Sequence, residues 1–336
     1  MGLEIDFLAI GDSSQGGDAI ALRYGNLWGS RAAQTVIIVD GGTAESGQTL
    51  VSHVREKFLT NFVDVVISTH PDADHVSGLH TVLDHLQVGQ LAIHRPWRRP
   101  GDLLPSFTSN RITVGGIGRA ISGAVSSARE LARLAIRKGV NIIEPFAGMG
   151  TADGAVLVLG PNPNDYDSLA CKFSEMPAAR PRLSPIYEAF AGLTGTRPEN
   201  DSSVVLLLTV EGRRVLLTAD AGLPALHSAV SFARRSGIDL TDLNLFQVPH
   251  HGSRRNFDSS ILDEIRAPLA VISAPANSEK HPASSVVDAI IMRGVTLYAT
   301  RGISLLYSHN APQRAGYGPV QPLSLSLIAS LMTAAR

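Results

Sequence analysis

The N-terminal third of the chain reads as short apolar runs punctuated by glycine and polar residues, the pattern of strands joined by tight loops. Glu4 to Ile10 is the first such run, and Ala19 to Tyr24, at the end of a glycine-rich segment, predicts its hairpin partner. Thr35 to Val39 is β-branched and stops at the turn Asp40-Gly41-Gly42. Leu50, Val54, Phe58 and Leu59 fall on one helical face and predict a helix from about Gln48 to Asn61. Val63 to Ser68 predicts a buried strand. The polar stretch Thr69 to Ser77 follows its carboxyl end, and a helix is expected from about Gly78 to Leu86.

The middle of the chain is less regular. Residues 94 to 118 are Pro-rich and locally basic, whereas Ser122 to Lys138 has the amphipathic spacing of a helix. Ala155 to Leu159 predicts a strand, and an irregular insertion rich in Pro, Asn, Ser and Gly runs over about 160–201. Two alternating strands, Val204 to Val210 and Arg214 to Thr218, then flank the turn Glu211-Gly212-Arg213. Further strands are expected over 243–248, 269–273 and 296–299, with helices near 224–235, 259–266 and 283–293. This order, with hairpins at both ends, does not suit a doubly wound sheet. It predicts an α+β fold of two mixed sheets packed together with helices outside. No compositional boundary divides the chain, so a single domain over 1–336 is expected, ending in a tail at about 312–336.

Composition narrows the partners. The 29 Lys and Arg against 30 Asp and Glu leave a net charge of -1, so no global basic field draws the chain to nucleic acid or an anionic membrane. The most apolar stretch, Leu323 to Ala335, is too short to span a bilayer and is broken by Ser and Thr. The start MGLEID lacks the pattern of a signal peptide, so a cytoplasmic protein without membrane contact is expected. A single cysteine, Cys171, excludes an internal disulfide and a thiolate metal cluster. Eleven histidines leave room for a site built from nitrogen and oxygen ligands.

The sharpest chemical signal is Ser68-Thr69-His70-Pro71-Asp72-Ala73-Asp74-His75, where four ligand-type residues lie within six positions directly after a strand. A rigid strand end can aim such a cluster at one point, as metal chemistry requires. His70 and Asp72 are two apart and point the same way on an extended backbone. Asp74 and His75 then need a turn to aim at a neighbouring position, which is the spacing of a two-metal site.

The stretch HPDADH followed by Ser77-Gly78-Leu79 resembles the His-x-His-x-Asp-His signature of the metallo-β-lactamase fold hydrolases, and more closely the soluble ComEC-type domain, which has Asp at the second ligand position. Gly16-Gly17-Asp18, Val39-Asp40-Gly41-Gly42, Asn200-Asp201-Ser202-Ser203, Leu217-Thr218-Ala219-Asp220, Val248-Pro249-His250-His251-Gly252-Ser253, and Asn277 with His281-Pro282 resemble later landmarks of that family in the same order. The resemblance implies an αββα sandwich and metal-assisted hydrolysis by a hydroxide held between two divalent ions. It implies that His70 and Asp72 hold one ion, that Asp74, His75 and His281 hold the second, and that Asp220 bridges both. Asp40 and Asp18 would support the ligands from behind.

One departure stands out, since no histidine occurs from residue 95 to 226, where many relatives carry a third ligand for the first ion. Either His250 or His251 takes that place or the first site is thinly held; neighbours on an extended strand face opposite ways, so both reach the metals only if the chain turns there, as Gly252 would permit, and one of the pair is the expectation. Asp74, His250 and His251 are the candidates for catalytic roles, and Ser253, Arg254 and Arg255 for binding a substrate phosphate. Oxygen-rich ligation with several imidazoles points to zinc or manganese. The resemblance favours a phosphodiester substrate, DNA or RNA, with hydrolysis of a small ester, lactone, amide or cyclic phosphodiester as the alternative, and a non-catalytic metal-bearing interaction module as a third reading. A phosphate-tracking strip of Arg95, Arg98, Arg99, Arg119, Arg180 and Arg182 competes with a simpler account: arginine is the general cation of this chain, 25 Arg against 4 Lys. No protein partner and no oligomeric state are legible.

Overall fold

The computed structural model describes the chain except residues 11–15, 108, 110, 175, 180, 182, 191–194, 259, 279, 318–319 and 326–336. Arg180, Arg182, the first residue of the helix expected at 259–266 and most of the apolar tail therefore lie outside the described residues.

Period-two alternation builds the first sheet. On β1 (Gly2–Phe7), Leu3, Ile5 and Phe7 face the sheet-to-sheet core with Ile20 and Leu22 of β2 (Ala19–Gly25), while Glu4, Asp6 and Arg23 alternate with them. The sheet continues through β3 (Gln34–Gly41), β4 (Phe62–Ile67), β5 (Gln87–Ala92) and β6 (Asn141–Ile143). The second sheet holds β7 (Val156–Gly160), β8 (Val205–Val210), β9 (Arg213–Leu217), β10 (Leu245–Gln247), β11 (Leu269–Ile272) and β12 (Thr296–Ala299). The last strand, β13 (Leu305–His309), returns to pair antiparallel with β1. The orders are β13-β1-β2-β3-β4-β5-β6 and β12-β11-β10-β9-β8-β7. Each sheet is mixed, since β3 to β6 and β9 to β12 run parallel and the remaining pairs antiparallel.

Helices cover the outer faces. α1 (Ala44–Lys57), α2 (Ala73–His85) and the helix Ser126–Arg137 lie on the first sheet, and the helices Leu223–Arg235 and Ser284–Ile291 on the second. This is the expected αββα sandwich. The two hairpins fall where they were anticipated, with Glu211 and Gly212 both in left-handed conformations between β8 and β9.

Three readings are corrected. α2 begins at Ala73, not near Gly78: Asp72 occupies the N-cap position without a side-chain cap bond, and Asp74 falls in the first turn, where acids are favoured. The single helix expected over 122–138 is two, Val114–Ala124 and Ser126–Arg137, broken at Val125. The stretch 160–201 is not irregular throughout, since it carries the helices Pro163–Ala170, Pro185–Phe190 and Pro198–Asp201. Strands β5, β6 and β13 had no counterpart in the sequence pattern. Among the described residues no helix is long and apolar enough to cross a membrane.

Candidate metal centre

The candidate ligands converge because the topology gathers their loops at one edge. Asp40 ends β3, Thr69 and His70 follow β4, and Asp74 and His75 open α2. Asp220 follows β9, His250 and His251 follow β10, and Ser273 follows β11. Asp18 precedes β2 and Asn200 precedes β8, antiparallel neighbours whose starts share that edge. The backbone carbonyl of Thr69 accepts from the Val204 amide at 3.1 Å, joining the sheets there. Of the eight non-glycine residues with left-handed φ among the described residues, Asp40, Ala219, His250 and His251 all lie here. Local strain is concentrated where the surrounding structure holds it for function.

Asp220 is the centre of the arrangement. Its Oδ1 lies 3.5 Å from His75 Nε2 and 3.6 Å from His251 Nε2, and its Oδ2 lies 3.9 Å from His70 Nε2 and 3.5 Å from His250 Nε2. Each ring is anchored through its other nitrogen. His75 Nδ1 donates to Asp40 Oδ2 at 2.8 Å, and His251 Nδ1 donates to the Ser273 carbonyl at 2.8 Å. His250 Nδ1 donates to Asn256 Oδ1 at 2.8 Å. The Thr69 hydroxyl gives its proton to Asp40 Oδ2 at 2.6 Å and so accepts from His70 Nδ1 at 3.0 Å. These bonds fix the tautomer that leaves Nε2 with a lone pair. Nε2 of His70, His75 and His251, together with Asp220 Oδ1, are buried with no hydrogen-bond partner among the described residues. Orphaned acceptors facing one another at such spacing are costly without a cation between them. The donor set fits divalent metal ions.

The electrostatics follow from the same contacts. Burial raises the Asp220 pKa, but His75, His251 and His250 outweigh it and hold the carboxyl well below its ordinary range. Burial opposes protonation of His75, yet Asp220 and Asp40 together keep its pKa well above the usual imidazole value. His70 and His250 are lowered, in both cases chiefly by burial, which favours the neutral rings a metal needs. Burial lifts Asp72 to about 6 against the pull of Arg197.

The remaining candidates fall into place around this core. Asp74 groups with His75 and His251, and Asp18 with His75 and Asp220. Asp18 accepts from Gln247 Nε2 at 2.7 Å, while Gln247 Oε1 takes the amides of Thr218 and Ala219 and so aligns the loop that carries Asp220. Asp72 lies with His70, at 4.0 Å, and is paired with Arg197. Both His250 and His251 face Asp220, which differs from the expectation that only one would. His250, His251 and Gly252 take φ of 48°, 55° and 77°, so the chain turns sharply and brings both rings to one side. His250 thus stands beside Oδ2, where no histidine from residues 95–226 is available. His281 lies beside the pair, its ring 5.9 and 6.4 Å from the rings of His250 and His251, with a buried Nδ1 that has no hydrogen-bond partner among the described residues. Ser253 is buried beside the centre, and Arg254 and Arg255 are exposed at its mouth.

Four residues of this neighbourhood escaped the sequence reading: Arg197, Asn200, Gln247 and Asn256. Asn200 is fully buried, with its amide nitrogen 3.5 Å from Asp220 Oδ2. It occupies the place near Oδ2 from which a ligand between the main motif and Asp220 was sought. Its position in the Asn200-x-x-Ser203 landmark was the available signal. The proposed arginine strip is corrected in part, because Arg99 pairs with Glu144 at 3.0 Å and Asp167 at 3.2 Å.

Residues 31–165 match the family described as the metallo-beta-lactamase superfamily. No curated protein matches the chain. Among solved structures, the β-hydroxylase CmlA is similar at 12% identity and a TM-score of 0.49, over 91% of this chain and 53% of that one. A diphosphatase from the PhnP family is similar at 10% identity and a TM-score of 0.44, over 92% and 98%. A metal-dependent hydrolase of the beta-lactamase superfamily is similar at 12% identity and a TM-score of 0.43, over 90% and 98%.

Proposed function

We propose that this chain, which carries a metallo-beta-lactamase superfamily domain, is a metal-dependent hydrolase whose dinuclear centre cleaves phosphodiesters. The observation that carries the reading is the division of Asp220 between two pairs of imidazoles, one pair directing its Nε2 atoms at Oδ1 and the other at Oδ2. His70, His250, Asp72 and Asp220 Oδ2 would hold one ion, and His75, His251, Asp74 and Asp220 Oδ1 the other. Zinc or manganese suits this mixture of imidazole and carboxylate. Two such ions supply Lewis acidity and an activated water at neutral pH.

The chain's own residues do the positioning. Asp40, Thr69, Asn256 and the Ser273 carbonyl orient the four rings, and Gln247 braces Asp18 and the Asp220 loop. His250 is the most exposed of the four rings and borders the open cavity, so its side of the centre is the one a substrate would approach from. That cavity is flanked by Arg254, Arg255 and Lys280, which favours an anionic phosphodiester, DNA or RNA included, over a neutral ester, lactone or amide. The ComEC-type subfamily reading rests on Asp72 at the second ligand position and on the Pro249-to-Ser253 run.

Elemental analysis, run beside hydrolysis of bis(p-nitrophenyl) phosphate by wild type and an Asp220→Ala variant, tests the proposal. Two zinc or manganese per chain and turnover lost with Asp220 are expected. Metal without turnover of any phosphodiester would overturn the substrate class, and absence of metal from metal-supplied protein would overturn the centre itself.

A further inference from the structure

Beside the centre, on the side that His250 borders, lies a cavity of about 720 Å³. Its walls come from the 250–256 loop and from the segment leading into the helix Ser284–Ile291, and His250 and His281 form the side it shares with the centre. Arg254, Arg255 and Lys280 line it, all are exposed, and none makes an ion pair among the described residues. No carboxylate is among its described lining residues. Three hydroxyls, those of Ser253, Ser284 and Ser285, face the same space.

The helix adds donors of its own. Its N-cap is Ala283, which has no side chain able to accept from the first turn. The Ala283 amide donates to the Gly252 carbonyl at 3.0 Å, which fixes the helix start against the loop after His251. The amides of Ser284 and Ser285 have no partner among the described residues. An uncapped helix start, three unpaired cations and three hydroxyls around one cavity form a site for a doubly charged tetrahedral anion.

We infer that this cavity binds a second phosphate of the substrate, so that the preferred substrate is a phosphodiester carrying a neighbouring phosphate, as in an oligonucleotide or a phosphorylated nucleotide ester, and not an isolated diester. The inference rests on the phosphodiester reading above and adds to it the group next to the scissile bond. Simple diesters then react through the metal centre alone, without the contribution of Arg254, Lys280 and the helix start.

Equilibrium binding separates the two ideas. Thymidine 5′-monophosphate and thymidine 3′,5′-bisphosphate are titrated calorimetrically into the metal-loaded full chain, as wild type and as Arg254→Ala/Lys280→Ala. Wild type is expected to bind the bisphosphate about tenfold or more tightly than the monophosphate, the scale of one additional charge-assisted contact, and the double variant to show a ratio near one. Lys280→Gln, at an exposed position, serves if the double variant does not fold, and it is expected to reduce the ratio about threefold. Equal affinities in wild type, or a preference kept by the folded variants, would overturn the second site. A bisphosphate preference lost with the variants, in a protein that hydrolyses no diester, would keep the cavity and overturn the phosphodiesterase.

Discussion

Asp40 groups with His70 and His75, and both of these rings depend on it. It receives the Thr69 amide at 2.8 Å, the Thr69 hydroxyl and His75 Nδ1, and through Thr69 it also fixes His70. Asp40→Asn keeps the shape and removes the charge and one acceptor. Metal affinity is expected to fall about 10- to 100-fold, read by competition with a chromogenic chelator. An unchanged affinity would mean that the rings are held by packing alone. His250→Ala and His251→Ala make a second test at this scale. Each is expected to lower metal stoichiometry in elemental analysis, because each ring faces its own oxygen of Asp220. A silent His250→Ala would leave the Oδ2 half to His70 and Asp72 alone. Much of this was legible in the residues: the HPDADH run, Asp220 and the histidine pair carry their chemistry in their types. Asn256 and Gln247 were not, since an amide bracing a ring has no signature and the Gln247 contact with Asp18 spans 229 positions. The left-handed turn that brings both His250 and His251 inward was also hidden, because only Gly252 of its three residues advertises such a conformation.

At the scale of elements, the centre depends on how closely α2 lies against the end of β3. A Cβ added to Gly78 would come within 1.9 Å of the Gly41 carbonyl oxygen, and one added to Gly47 of α1 within 2.4 Å of the Gly78 oxygen. Backbones in contact here hold His75, at the start of the same helix, against Asp40 and Asp220. Gly78→Ala must push α2 outward, at a cost of about 1–3 kcal/mol or more from overpacking, with metal affinity falling as well. Gly115→Ala is the control, since its Cβ would meet only the Arg119 side chain at 3.8 Å. There the gain in helix propensity should stabilise by about 0.5–1 kcal/mol. Urea unfolding of the metal-free forms reads both, and a Gly78→Ala variant as stable as wild type would show that α2 is free to shift. The sequence placed α2 five residues late for a physical reason: Asp72 and Asp74 are at once a helix start and part of a ligand cluster, and polarity alone does not distinguish the two. The edge and outer strands β6 and β13 were missed because they are short and half-buried, with no clean alternation to read.

At the scale of the whole molecule, the first sheet is completed by a strand from late in the chain. β13 adds to the edge of β1 in the register Leu3 with His309 through Phe7 with Leu305, and the segment after it reaches the end of α1, where Lys57 donates to the Ala315 carbonyl at 3.3 Å. There Arg314 reaches two fully buried carboxylates, bonding both oxygens of Asp6 at 2.8 Å and lying 3.1 Å from Glu4, which also pairs with Arg23 at 2.6 Å. Tyr317 adds a bond to Asp6, His53 lies 3.1 Å away, and the Arg23 and Arg314 guanidiniums both stack over Phe58. The inward alternation of β1 that builds the sheet-to-sheet core thus leaves two acids on its other face, and a residue some 300 positions away neutralises them. Removing one partner of a buried pair leaves an uncompensated charge, so Arg314→Ala is expected to cost about 3–5 kcal/mol at neutral pH. The pH dependence fixes the sign. Burial raises the Asp6 pKa, but His53, Arg314 and Tyr317 outweigh it and hold the carboxyl below its ordinary 3.8. The folded chain therefore binds fewer protons than the unfolded one below that pH, and this stabilisation is present above about 3.8 and lost as the pH falls through the lowered value. Without Arg314 the Asp6 pKa rises, so acidification should cost the variant less stability than it costs the wild type. The difference between the two proteins should then shrink once Asp6 is protonated in both. Urea midpoints measured from pH 7 down to pH 3 test this, and a constant difference across that range would show that Arg314 stabilises by packing on Phe58 and not by charge.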